Sequence, residues 1–237
     1  MGGDSEMKLH FRIGEYDDAV ALVKKYHCSR RAPGSVKLVG SFHLDGGLFG
    51  DYGQITAAAF FSSPPTRWAE PVAELSRLVR AETPVPLSSL ISKCCEALKK
   101  RGENLVVSFA DKTQGHHGGV YQSASWLYGG CRNRSIDGIT LNGVFIPGRT
   151  CNEKWGTRSP EKLRAMGIDA RPHYDEGKHI YFKPLNVSGK TKAKRLGLIN
   201  QPYPKSADSP LDELVPTSVR KAQPLLSAPI TQTGIAK

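Results

Sequence analysis

Between positions 74 and 130, polar residues collect where apolar runs end and helical patterns begin: Arg77, Ser88, Ser89, Asp111, His116, His117 and Tyr121. Each residue type suggests a chemistry. Serines at a helix start add hydroxyl donors to free backbone N–H groups, and together these suit an anion such as a pyrophosphate; the same serines can equally do no more than cap the helix. Asp111 closes an apolar run, where a carboxylate could orient an amine or act as a base with its pKa raised by burial. An Asx-type turn is the plainer alternative. Tyr121 could donate a proton, stack on a base or pack in the core. Arg77 interrupts an apolar strand face, and a buried Arg needs an anionic partner. Glu74 would serve only if the strand is distorted, because the two residues alternate onto opposite faces. His116 and His117 are sequence neighbours, which rarely converge on one ion, and no third ligand follows at helical spacing. No Gly-rich run joins strand to helix, which argues against a P-loop or a dinucleotide fingerprint.

The elements that must position these residues follow from periodicity. Residues 7–13 read as a first strand. Residues 15–27 read as a helix placing Tyr16, Ala19, Val20, Val23 and Tyr26 on one face, with acids early and lysines late. Strands near 36–44 and 53–61 flank the turn signal Asp45-Gly46-Gly47 and predict a β-hairpin. Residues 72–80 alternate as a strand, with Glu74, Ser76 and Leu78 on one face and Leu75, Arg77 and Val79 on the other. A helix follows with the stripe Leu87, Leu90, Ile91, Cys94 and Leu98, an N-cap at Ser88 or Ser89, and a stop at Gly102. Residues 104–110 form a buried-type apolar strand. Gly118-Gly119 opens a short helix carrying Val120, Tyr121, Ala124 and Tyr128. Strand character returns over 139–146 around Asn142-Gly143. Ser159, Pro160 and Gly167 bound a helix, and 178–182 reads as a last strand. These elements predict an α/β (α+β) domain over 1–186, a mixed central sheet flanked by helices. From 187 to 237 the sequence predicts a mostly disordered tail with a basic start at Lys190, Lys192, Lys194 and Arg195.

Composition bounds the partners. The formal charge is +11 and 39% of residues are hydrophobic, which suits a normal core, a polar tail and a polyanionic partner. Basic residues alternate with aromatics in Arg149, Lys154, Trp155, Arg158, Lys162, Arg164, Lys178, His179 and Tyr181, a pattern for phosphate contact plus stacking or for a solvated rim around a core Trp. Arg30 and Arg31 add charge beside Tyr26-His27-Cys28-Ser29. Five cysteines without a CxxC pair fit reduced thiols and a reducing cytosol. No run reaches the roughly 18 apolar residues that a membrane span needs, and the start lacks the pattern of a signal peptide.

Taken in order, ELSRLV, the serine-started helix, LVVSFAD, the GH pair with glycines, VYQSASWLYGG, RTCNEKWGT and KHIYF resemble the Mom family of bacteriophage DNA-modification proteins over residues 7–185. The resemblance implies a GNAT-like acyltransferase fold. It also implies an enzyme of the host cell cytoplasm that converts N6 of adenine in double-stranded DNA to a methylcarbamoyl-type derivative, evading host restriction. It implies acetyl-CoA as donor, lying between the strands ending at Arg80 and Asp111 against Val79, Ser88 and Ser89, and iron as a further cofactor whose ligands the sequence does not reveal. The residues matching the family's motifs are His27, Arg77, Ser89, Asp111 and Tyr121, with His27, Arg77, Asp111 and Tyr121 as the implied catalytic set. The implied DNA side is Arg30, Arg31, Arg149, Lys154, Lys178 and His179. The chain departs from the pattern at Cys28, where Tyr is expected, and at Ile180, where Arg is expected. Two other readings stay open: a GNAT enzyme acting on a protein or small-molecule amine, and a non-catalytic DNA-binding protein on the same scaffold.

Overall fold

Two sheets carry the fold in this structure, a computed structural model that describes residues 8–45, 53–64, 68 and 71–204. Numbered in chain order, the strands are β1 (Leu9–Ile13), β2 (Val36–Leu44), β3 (Ile55–Ser62), β4 (Val72–Arg80), β5 (Leu105–Asp111), β6 (Leu127–Arg132), β7 (Ile136–Leu141), β8 (Val144–Pro147), β9 (Arg171–Tyr174) and β10 (Lys178–Pro184). The larger sheet runs β1-β2-β3-β4-β5-β10-β6 and the smaller β8-β7-β9. Within the larger sheet, among the described residues, only β4 and β5 pair in parallel. The expected mixed α/β architecture is what forms.

Helices cover both faces of the large sheet. Helix α1 (Tyr16–Tyr26) buries Ala19, Val20, Leu22 and Val23 against Val39, Phe60 and Val79. Helix α2 (Leu87–Lys100) buries Leu90, Ile91, Cys94 and Leu98 against Phe42, Phe61 and Leu75 on the opposite face. The alanine run Ala57, Ala58 and Ala59 in β3 offers little volume on either side, so both helices approach the same strand. The first hairpin forms by β2–β3 pairing, while residues 46 and 47 of its expected turn lie outside the described residues.

Three expectations about elements are corrected. Pro86 is the N-cap of α2, so Ser88 and Ser89 lie inside its first turn and make no side-chain cap. Helix α3 (Gly119–Ser123) is shorter than its pattern: Ser125 takes a left-handed φ of 56°, Trp126 is fully buried, and Tyr128 lies in β6 instead. Residues 187–195 are not the start of a disordered tail but helix α6 (Val187–Arg195), capped where the Asn186 side chain accepts from Gly189 N at 2.8 Å. Ala193 of this helix and Leu198 after it pack on Val72, Leu105 and Phe182. Its lysines project outward and conceal a narrow apolar stripe, which composition alone reads as polar. The tail expected beyond residue 204 lies outside the described residues.

The smaller sheet has a core of its own. Ile139, Cys151, Leu163 and Ala170 pack between that sheet, helix α4 (Gly148–Trp155) and helix α5 (Pro160–Ala165). Asn142 and Gly143, at φ 50° and 79°, make the tight β7–β8 turn that an Asn-Gly pair favours. Ser159 caps α5 as expected, its Oγ accepting from Lys162 N at 3.3 Å. Among the described residues no helix is long and apolar enough to cross a membrane.

Candidate active site

The site begins where two parallel strands part. β4 and β5 pair from Val72↔Leu105 to Leu75↔Ser108. Beyond that point β4 pairs with β3 as far as Arg80 and β5 with β10 as far as Asp111, so a gap opens between their C-terminal ends. The cause is a bulge. Phe60 faces Arg77 and Phe61 faces Leu75, leaving Ser76 as the extra residue on β4. Ser76 Oγ closes the bulge on the Phe60 carbonyl at 3.2 Å and the Ser62 hydroxyl at 2.8 Å. The bulge also overturns the face assignment made from strict alternation. Leu75 and Leu78 now share the α2 side, while Val79 packs on the α1 side. Arg77 therefore joins Glu74, whose charge supports its own.

At the fork, Ser108 Oγ hydrogen-bonds both the Leu75 carbonyl and the Tyr121 hydroxyl, each at 2.9 Å. Tyr121 is buried, stacked on Tyr181 with ring centroids 5.0 Å apart, so its hydroxyl is held at the floor of the gap. Tyr181 in turn donates to the His117 carbonyl at 2.6 Å. That arrangement requires a glycine at 118, where φ is 85° and a Cβ would collide with the Tyr181 ring.

The mouth of the gap gathers residues from distant parts of the chain. His27 caps the end of α1, and its Nδ1 accepts from Ser29 N at 3.1 Å. That bond leaves the imidazole proton on Nε2. Burial, then the charges of Arg77 and His116, hold the His27 pKa down at about 4, so the ring is neutral near pH 7. Arg77 donates from Nε to the Arg31 carbonyl at 3.2 Å and from a terminal nitrogen to the Ser76 carbonyl at 2.6 Å. It thereby ties the 27–31 loop, including Arg30 at a left-handed φ of 47°, to the bulge. Burial and the charge of Arg149 press the Arg77 pKa downward. Cys28 lies within reach of the charges of both Arg77 and Asp111, and burial raises its thiol pKa.

Asp111 differs from expectation. Its Oδ1 accepts from Thr113 N at 3.0 Å, the Asx-type turn, and its Oδ2 lies 3.3 Å from Lys178 Nζ. The side chain is 27% exposed, and the group that faces it is an ammonium. Lys178 reaches Asp137 as well, at 3.9 Å, and so spends its charge inside the site.

The cofactor-side residues divide. The first-turn N–H groups of α2 have no side-chain cap, and the hydroxyls of Ser88 and Ser89 stand beside them, an arrangement that fits a pyrophosphate. On β4, Ala81 N donates to Thr56 O at 2.7 Å. Ladder alternation then turns the backbone of Val79 towards β3 and those of Leu78 and Arg80 towards the gap. The neighbours of Val79 thus present the polar edge.

Of the basic residues, Arg30, Arg31, Arg149 and Lys154 are exposed. Lys154 covers the Trp155 ring at 4.8 Å, and Trp155 packs on the small core. His179 is corrected: it is buried on β10, with Nδ1 2.8 Å from the Tyr128 hydroxyl. Burial and the charges of Lys112 and His117 lower its pKa. Among the described residues no three His, Cys, Asp or Glu side chains are placed to hold a metal ion, so the residues present do not fit an iron site.

With this geometry in place, comparison with known proteins adds a family. The model of the Mom protein family matches residues 8–205. The chain belongs to the Mom protein family. No curated protein sequence matches it. Solved structures similar to this Mom-family chain include a GNAT family N-acetyltransferase from Escherichia coli in complex with CoA, 17% identical, TM-score 0.41, covering 53% of this chain and 72% of that one. The ribosomal-protein-S18-alanine N-acetyltransferase from Escherichia coli is 12% identical, TM-score 0.45, over 76% of this chain and 96% of its own. An acetyltransferase from Bacillus subtilis in complex with CoA is 12% identical, TM-score 0.43, over 76% and 100%.

Sequence reasoning missed two positions in this Mom-family site. Ser108 was legible as the one polar residue in the run Leu105–Ala110, a signal for a buried hydroxyl with a task. The bulge at Ser76 leaves no local mark, because it is specified by pairing with β3.

Proposed function

We propose that this Mom-family protein is an acyl-CoA-dependent transferase that modifies the exocyclic N6 of adenine in DNA, with acetyl-CoA as acyl donor. The thioester accounts for an N6–acyl bond with the CoA thiolate leaving, and a methylcarbamoyl-type product needs in addition an amide nitrogen from a separate nitrogen-donating co-substrate. The observation that carries the reading is the gap between β4 and β5, floored by Tyr121 and rimmed by His27, Arg77 and Asp111. Family membership supports the DNA substrate.

The chain's own residues divide the work. The first turn of α2 with Ser88 and Ser89 would hold the pyrophosphate of acetyl-CoA, and the backbone groups of Leu78 and Arg80 would hold its stem. Bound there, acetyl-CoA supplies an activated acyl carbon. Tyr121, fixed by Ser108, presents a hydroxyl at the floor of the gap that can return a proton to a leaving thiolate. His27 offers Nε2–H as a hydrogen-bond donor at the mouth. Its neutral, donor-type imidazole suits polarising an oxygen better than removing a proton. Asp111, with Lys178 beside it, accepts from the adenine amine and orients it. Adenine N6 is paired in the duplex, so the base must leave the stack, at a cost of about a few kcal/mol. Arg30, Arg31 and Arg149 on the exposed rim offset that cost by holding phosphates.

The test is expression in bacteria followed by nucleoside digestion of genomic DNA and mass spectrometry. A mass-shifted deoxyadenosine is expected with the wild-type chain, and with Tyr121→Phe it is expected to form on the order of 100-fold more slowly. An unmodified profile beside an acetylated protein target would overturn the reading.

A further inference from the structure

The outer face of the small sheet is unused by the proposed site, and its residues form an ordered row. Thr140 of β7 stands opposite Phe145 of β8 on one side and Arg171 of β9 on the other. In the next row, Gly138 lies between Pro147 and His173. Alternation puts Ile139 of β7 in the small core, so Gly138 and Thr140 look outward, and Phe145 and His173 with them. The Phe145 and His173 rings contact each other at 4.3 Å between centroids, over Gly138, where a Cβ would run into the Phe145 ring. Phe145 is nevertheless 42% exposed, and Arg171 is exposed on the far side of Thr140.

We propose that this face, Phe145, His173, Thr140 and Arg171, binds an unpaired nucleobase together with its phosphate. An exposed aromatic platform stacks any base because every base has a π-face, and an adjacent guanidinium takes the phosphate. Phe145 and Arg171 stand two strand spacings apart, about 9–10 Å, the reach from a base to a backbone phosphate. Two rings and one guanidinium make the footprint of one nucleotide, far below the roughly 800 Å² per partner of a stable protein interface.

The small sheet is also joined to the mouth of the active site, by contacts on the side away from this face. Lys178 bridges Asp111 at the mouth and Asp137 on β7, and Arg149 of α4 is close enough to press on the charge of Arg77. A strand opened to release an adenine therefore has a place to rest a neighbouring or orphaned base. The inference rests on the DNA reading of the gap, but the binding it describes is measurable without turnover.

The experiment titrates the full chain against a single-stranded oligonucleotide carrying 2-aminopurine, whose fluorescence falls on stacking. Wild-type protein is expected to quench it. Phe145→Leu, which keeps an apolar contact over Gly138, is expected to weaken binding roughly 5- to 150-fold and to remove the quench. Arg171→Gln is expected to weaken binding and lower the salt slope by about 1. Both variants binding and quenching like wild type would overturn the proposal, as would a Phe145→Leu effect on self-association alone. If those variants bind as wild type while genomic deoxyadenosine is still modified, this inference falls and the DNA-modification reading stands. If wild type quenches, the variants do not, and no modified nucleoside forms, the platform stands and the catalytic reading falls.

Discussion

At the residue scale the two groups that most shape the chemistry are His27 and Tyr121. Ser29 N fixes the His27 tautomer, and burial, then the proximity of Arg77 and His116, keeps the ring neutral. The consequence for stability has a definite sign. The folded pKa of about 4 lies below the ordinary 6.5, so the unfolded chain takes up the proton first as pH falls. Stability from this group is therefore intact above pH 6.5 and declines towards pH 4. His27→Gln should flatten the dependence of Tm on pH across that window, which thermal unfolding at several pH values checks. Tyr121→Phe removes one hydroxyl from Ser108 and keeps the ring stack on Tyr181. It should cost about 1 kcal/mol in urea unfolding while slowing deoxyadenosine modification on the order of 100-fold. Equal rates for the two proteins would remove Tyr121 from the proton path.

At the element scale the decisive features are a bulge, a short helix start and a helix that composition conceals. The Ser76 bulge separates β4 from β5 and turns Arg77 to the mouth. Gly118 opens α3 in a left-handed conformation and lies under Tyr181. Gly118→Ala meets both obstacles, a strained φ and a ring in the way, and should cost about 1–3 kcal/mol while displacing the Tyr121–Tyr181 stack. Denaturant unfolding and near-UV circular dichroism read the two effects separately. Helix α6 closes the edge of the core over Val72, Leu105 and Phe182. Leu198 is only 7% exposed, so Leu198→Ala should lower unfolding free energy by about 2–5 kcal/mol. A change within experimental error would show that residues 187–204 are not part of the folded unit.

At the scale of the whole molecule, charge and architecture act together. The sequence carries 33 Lys and Arg against 22 Asp and Glu, a formal +11, and some of those cations are paired internally: Lys178 with Asp111 and Asp137, Lys37 with Glu103, Arg132 with Asp175. The remaining exposed cations set the salt dependence of any DNA contact. Affinity for duplex DNA should fall log-linearly with salt, with a slope of about −0.9 per phosphate neutralised. Arg149→Ala should reduce that slope, whereas His179→Ala, at a buried position, should leave it unchanged and destabilise the fold instead.

The sequence alone determined the elements whose signals are local. Period-two and 3.6-residue patterns set β4, α1 and α2, Asn142-Gly143 set a turn, and Ser159-Pro160 set a helix start. It also picked out Arg77, Asp111 and Tyr121, because a polar residue beside an apolar run stands out in one dimension, while His27 entered only through the resemblance to the family's motifs. Tertiary structure decided what no local window contains. The bulge at Ser76 depends on β3 pairing, the partner of Asp111 is Lys178, supplied from a strand 67 positions later, and the neutrality of His27 depends first on burial and then on Arg77 of β4 and His116 of the loop after β5. It also buried His179, folded residues 187–195 and set Phe145 beside His173. Pairing, burial and charge proximity are distances between remote residues, and a linear pattern carries only the distances within it.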